Sequence, residues 1–179
     1  MKLWVGVTDN DWFRFFSGIP DLDEVNFWQP RGARRFKALE RGGLFLFKLH
    51  WPENYIVGGG TYTYSPAAGL PASLAWEAFG QKNGAPSFEL MVRRIEKYLP
   101  RDRLRQPDYT IGCIILTNPF FFPRNDWIPA PSDFKKNIMT GKAYSLEMLT
   151  GRKLWLPPQT EQRPNQEYLE WHADTVFQG

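Results

Sequence analysis

This chain has little of what most catalytic centres and disulfide scaffolds are built from. It holds one cysteine, Cys113, and two histidines, His50 and His172. A lone cysteine forms no internal disulfide, and without a Cys-x-x-Cys pair two histidines do not make a structural zinc framework. Such cysteine usage is that of a reducing compartment, so a cytoplasmic location is expected. No run approaches the ~20 apolar residues of a membrane span. The opening MKLWVGVTDNDW turns polar after Val7, too early for a signal peptide. The expectation is a soluble protein with no membrane partner.

Catalytic signals are equally sparse. Ser65, Ser73, Ser87, Ser132 and Ser145 lack a nucleophile-elbow context, and Cys113 sits in a β-prone run where a free cysteine is usually an inert core residue. The two histidines have no neighbouring Asp/His pattern from which a metal or acid–base site is assembled. No catalytic residue, metal site or cofactor is therefore assigned, and the chain reads as a non-enzyme.

Positive charge and aromatic rings are present, and they are concentrated. The formal net charge is only +3, yet residues 31–48 hold six Lys/Arg against one acid. A local patch of this kind, not the total, decides what a surface attracts. Residues 25–60 interleave Trp28, Phe36, Phe45, Phe47, Trp51 and Tyr55 with Arg31, Arg34, Arg35, Lys37, Arg41 and Lys48. Aromatic faces stack on bases and cations hold phosphates, so the segment suits a polyanion that carries flat rings.

The 179 residues fit one globular domain over 1–155, followed by a Pro/Gln-rich linker or extension over 156–179. Residues 3–8 read as a buried strand, capped by Asp9 or Asp11 into a helix through Phe16 with Trp12, Phe15 and Phe16 on one face. Residues 44–50 and 55–64 read as a hairpin. Ser73 is expected to cap a helix over 74–79, and Ser87 a better one reaching Leu99 with Tyr98 on its apolar stripe. Residues 109–117 form the second strongly β-prone run, ended by Asn118-Pro119. Gly58-Gly59-Gly60 lacks the Lys-Ser/Thr of a phosphate loop and reads as relief of crowding at a bulge or barrel corner. Phe120 to Phe122 read as a core plug under a loop. The class is α+β with a small, strongly curved sheet or barrel.

The order KLWVGVTDNDWFRFF, DEVNFWQP, a basic turn, GGLFLFKLH and YIVGGG resembles the PUA-like group that includes EVE and YTH domains. More closely, MKLWVGVTDNDWFRF with DLDEVNFWQP, SLAWEAFG, IGCIILTNPFFFP and DWIPAPSDF is similar to the N-terminal region of bacterial HNH restriction endonucleases, over residues 1–150. The resemblance implies a PUA-like fold: a small curved β-barrel with flanking helices. It also implies a pocket for one modified base, turned out of double-stranded DNA and held between aromatic rings. The histidine-rich segment of an HNH nuclease does not occur in this sequence, so the expected role is that of reader, with a possible homodimer formed through a nuclease domain.

On that resemblance Trp28 matches the first cage residue, in an aromatic loop, with Asn26 and Gln29 beside it to read a base edge. Thr8 and Asn10 follow the first strand where polar contacts are made, and Trp51 and Trp127 are candidates for further walls. Arg31, Arg34, Arg35, Lys37 and Lys48 form the phosphate-gripping set. Trp4 and Phe47 lie inside predicted buried strands and read as core. The expected ligand is 5-methylcytosine or 5-hydroxymethylcytosine. Alternatives left open are phosphorothioate DNA, RNA, and a protein partner held by residues 120–127.

Overall fold

The computed structural model describes residues 1–32 and 34–155; the linker expected over 156–179 lies outside them. Eight strands are present in this range: β1 (Lys2–Thr8), β2 (Glu24–Gln29), β3 (Leu44–Leu49), β4 (Tyr55–Tyr64), β5 (Leu70–Pro71), β6 (Thr110–Phe121), β7 (Ile128–Pro129) and β8 (Gly141–Ser145). Four α-helices join them: α1 (Asn10–Ser17), α2 (Ala72–Phe79), α3 (Phe88–Glu96) and α4 (Leu149–Trp155). The class is α+β, as expected.

The main sheet runs β2-β6-β4-β3-β1-β8, with β5 added on β6 and β7 on β4. It is mixed, because β1 lies parallel to β3 while the other pairs are antiparallel. Among the described residues β2 and β8 are its two ends and do not pair, so the expected barrel is corrected to an open sheet. The outer side of β2 is occupied by other groups. The turn at 80–83 lies against it: Asn26 Nδ2 donates to Asn83 Oδ1 at 2.8 Å and Trp28 Nε1 to Asn83 O at 3.0 Å. Trp12 Nε1 donates to the Asn26 carbonyl at 3.2 Å, which occupies one backbone acceptor on this edge.

Local chemistry explains most elements. Asp9 caps α1, its carboxylate accepting from Trp12 N at 2.9 Å, and α1 buries Trp12, Phe13 and Phe16. Ser87 caps α3, which buries Met91 and Ile95 and ends at Glu96, short of Leu99. Ser73 does not cap α2. The N-cap is Pro71, and Ser73 lies inside the helix with its hydroxyl on Asp108 Oδ2 at 2.5 Å.

Strand β6 also runs further than its Asn-Pro pair suggests. Gly59 faces Phe120 and Thr61 faces Thr117, so Gly60 alone opposes Asn118 and Pro119. That is a bulge, with Asn118 in the left-handed region at φ 47°, and the ladder resumes after it. The glycine run therefore relieves crowding at this irregularity, as expected. Phe121 packs on Phe16 and Phe47 in one core, while Phe120 and Phe122 join a second with Leu3, Val5 and Ile56, so all three are packing residues at a strand end.

Candidate functional site

The segment read as an aromatic loop is β2 itself. Its Val-Asn-Phe-Trp run is buried throughout, paired with β6 so that Trp28 faces Cys113. Strand alternation turns Asn26 and Trp28 to the same side, where both meet Asn83. Beyond Trp28 the chain leaves the sheet through Gln29-Pro30-Arg31-Gly32, and a cavity of about 420 Å³ opens there.

Its walls come from distant parts of the chain. Trp12, Phe27 and Trp28 supply apolar rings; Tyr98 and His50 supply a second aromatic surface, stacked on each other at 5.4 Å and 13°. Tyr98 also meets Trp28, with ring centroids 6.3 Å apart. Asp9 is the carboxylate in this wall. One oxygen accepts the α1 cap bond, and the other accepts from Tyr98 Oη at 2.6 Å, which fixes the phenol ring. Gln29, Arg31, Lys97, Met139 and Thr140 lie toward the mouth.

Charge at the mouth is unequal. Lys97 is paired with Asp11 at 2.7 Å, whereas among the described residues Arg31 meets only the Tyr98 carbonyl, through Nε at 3.4 Å. Arg34, Arg35 and Lys37 are exposed on the same loop, and among the described residues no carboxylate pairs with them. The loop is pinned where it returns to the core. Arg35 N donates to Ala67 O, Phe36 N donates to Ser65 Oγ at 3.0 Å, and the Phe36 ring is buried against Trp4 and Tyr62.

Several expected site residues are placed elsewhere. Thr8 is buried and its hydroxyl donates to Gly6 O at 3.0 Å. Asn10 does not line the cavity and holds Glu53 at 3.2 Å. Asn26 is wholly buried against Asn83 and Cys113 Sγ, where it cannot reach a base. Trp127 donates to Phe122 O at 3.1 Å and packs on Phe13 and Tyr55, under Arg124. Trp51 is 64% exposed and is not a wall. Lys48 is no phosphate grip: it is buried, its ammonium donates to Leu49 O at 3.0 Å over the Phe134 ring, and burial lowers its pKa. Gln29, Trp28 and Arg31 are the members of the expected set that the cavity brings together.

Asp9, His50, Tyr98, Lys97, Met139 and Thr140 line the cavity without a site signal in the sequence around them. Asp9 and Tyr98 carried only helix signals, a cap and an apolar stripe. Because α3 stops at Glu96, Tyr98 is released from that stripe and turns to Asp9.

The titration behaviour follows from burial. Desolvation and the Asp9 carboxylate push the Tyr98 phenol far up, so it remains a donor throughout the neutral range. Burial lowers the His50 imidazole, the Asp9 carboxylate opposes this, and the Lys48 ammonium adds to it; the net shift is down. The unfolded chain then takes up a proton at His50 at a higher pH than the folded one. Stability from this group is present above the ordinary value of ~6.5 and is lost as pH falls through the folded value. Denaturant titrations between mildly acidic and neutral pH are expected to show this loss for wild type and not for His50→Phe; equal pH dependence would remove His50 as its source.

Among the described residues no group of three or more His, Cys, Asp or Glu side chains is placed to hold a metal ion, and no helix is long and apolar enough to cross a membrane. What the cavity offers is aromatic stacking, one buried carboxylate acceptor and a cationic approach. Compared with family models, with curated proteins and with solved structures, the chain matches none.

Proposed function

We propose that this chain is a non-catalytic reader of modified DNA that receives one extruded base in the cavity beside Trp28. The observation that carries the reading is that hollow: about 420 Å³, ring-walled, and continuous with the loop that bears Arg31, Arg34, Arg35 and Lys37. Its size falls within the ~300–1,000 Å³ of small-molecule sites. Extrusion of a base costs a few kcal/mol, and stacking on aromatic side chains returns roughly 1–3 kcal/mol per base, with phosphate contacts making up the balance. A cytosine offers its amino group to the Asp9 carboxylate, and a 5-methyl or 5-hydroxymethyl substituent adds surface to bury. Buried methyl is worth only about 0.8 kcal/mol, so discrimination needs the fitted wall as well. The resemblance of the sequence motifs to HNH restriction endonuclease N-terminal regions and to EVE and YTH domains supports the same proposed role: the specificity domain of a modification-dependent nuclease in the cytoplasm.

Binding to 5-methylcytosine, 5-hydroxymethylcytosine and plain duplexes of one sequence tests this directly. Tighter binding to a modified duplex is expected, and equal affinities reject base-modification reading. A preference for phosphorothioate DNA or for RNA would redirect the assignment. Replacing both Arg34 and Arg35 by Ala should weaken all three duplexes alike and flatten the logarithmic salt dependence by about two charges. A changed preference among the duplexes, at unchanged salt slope, would contradict the phosphate role of these two side chains.

A further inference from the structure

Beside the cavity mouth stands an apolar surface that no wall function explains. Met139 lines the mouth yet is 74% exposed, the highest value of any large hydrophobic among the described residues, and Trp51 is 64% exposed. The two belong to neighbouring segments. Trp51 directly follows His50, a wall residue, and Lys136 places its ammonium 3.8 Å from the centre of the Trp51 ring. Both segments are anchored behind. Val7 N donates to Thr140 O at 2.9 Å, Phe134 is buried, and Asn54 N donates to His50 O at 3.3 Å.

Exposed rings and thioethers at such a place lose hydration surface only when something covers them. The surrounding charge says what. Lys135 and Lys136 are exposed and, among the described residues, in no ion pair; the nearby Asp133 is taken by Lys142 at 2.6 Å, and Glu53 is held by Asn10. Apolar side chains flanked by two lysines that no described carboxylate neutralises fit the stacked interior and phosphate edge of a nucleic-acid duplex, because apolar side chains enter opened base steps while the cations meet the flanking phosphates.

We infer that Trp51 and Met139 are a wedge which enters the duplex at the step vacated by the extruded base, with Lys136 holding the Trp51 ring and meeting the adjacent phosphate. The inference rests on the base-extrusion reading above and adds to it the residues that stabilise the opened stack. A wedge acts only where there is a stack to fill. Trp51→Ala should therefore lose affinity for a duplex carrying 5-methylcytosine, by about tenfold, and keep wild-type affinity for the same modified strand when single. Trp51 is exposed, so an unchanged melting curve is expected to show that the variant folds.

The measurement is a pair of dissociation constants, duplex and single strand, for wild type and Trp51→Ala. Loss confined to the duplex supports the wedge. Wild-type affinity of Trp51→Ala for both probes overturns it while leaving the reader assignment standing, provided wild type prefers the modified duplex. Equal loss on both probes also overturns it, by making Trp51 a general strand contact. Wild type that does not distinguish modified from plain duplex brings down the reader assignment itself, and the wedge with it.

Discussion

Trp28→Ala is expected to lower the unfolding free energy by about 3–5 kcal/mol, the usual result of emptying a buried large aromatic site. Trp28 is 7% exposed and is not merely a face of the cavity. Its Nε1 donates to Asn83 O, and Asn83 in turn holds Ala75 O and Gly80 O through Nδ2, so the ring fastens β2 to the turn after α2. Truncation leaves a buried carbonyl without its donor as well as a hole. Trp28→Phe separates the two roles: it keeps a stacking face and loses the N–H, for an expected loss of about 1–3 kcal/mol from the unsatisfied carbonyl. Denaturant unfolding of both variants, with binding measured at a temperature where each is folded, reads stability and recognition separately. If folded Trp28→Ala still prefers the modified duplex as wild type does, Trp28 is no part of the base site.

The second large effect is expected at a residue with no side chain. Gly84 has φ +81°, a region that L side chains rarely adopt, and it ends the turn at Gly80–Asn83. An added Cβ would run into the indole of Trp12. That indole is 2% exposed and packs on Phe16, Phe27 and Phe47 at centroid distances of 4.6, 5.6 and 5.1 Å, so displacing it disturbs three ring contacts. Arg94 Nη1 donates to the Gly84 carbonyl and holds the backbone from the other side. Left-handed strain of roughly 1–2 kcal/mol and overpacking of roughly 1–3 kcal/mol therefore act together in Gly84→Ala. Gly18→Ala is the control: nothing lies within 4 Å of its added Cβ, and its φ is −99°. There a gain of about 0.4–1 kcal/mol is expected from the less flexible unfolded chain. Comparable losses at both glycines would contradict the steric account.

The parts of this architecture legible in the sequence are those carried by adjacent residues. Asp9 capping α1, Ser87 capping α3 and the β3–β4 hairpin all follow from signals within a few positions. Strand β2 was obscured because its central residues are all buried, which removes the alternation that marks a half-exposed strand. In the sequence Asn118-Pro119 reads as the end of strand β6, since the partner that absorbs the irregularity, Gly60, lies nearly sixty positions away. Ser73 had the residue type of a cap, yet Pro71 starts the helix and Asp108 claims its hydroxyl.

The site divides along the same line. Residues 28–37 announce rings beside cations, and Trp28, Gln29 and Arg31 do meet at the cavity. Trp51, Trp127 and Lys48 have the same chemical character, but one is left outside, one is packed on Phe13 and one is buried over Phe134. Tyr98, His50 and Asp9 complete the wall from three separate places in the chain.

Local composition thus determines helix starts, strand propensity and the basic, aromatic character of one surface, because these depend on a residue and its near neighbours. Which ring becomes a wall, which a core plug and which an exposed tip is decided only when β2 docks on β6 and Tyr98 reaches Asp9. Burial and hydrogen bonding are properties of partners brought together across the fold, and identical side chains acquire different roles according to the partners they meet.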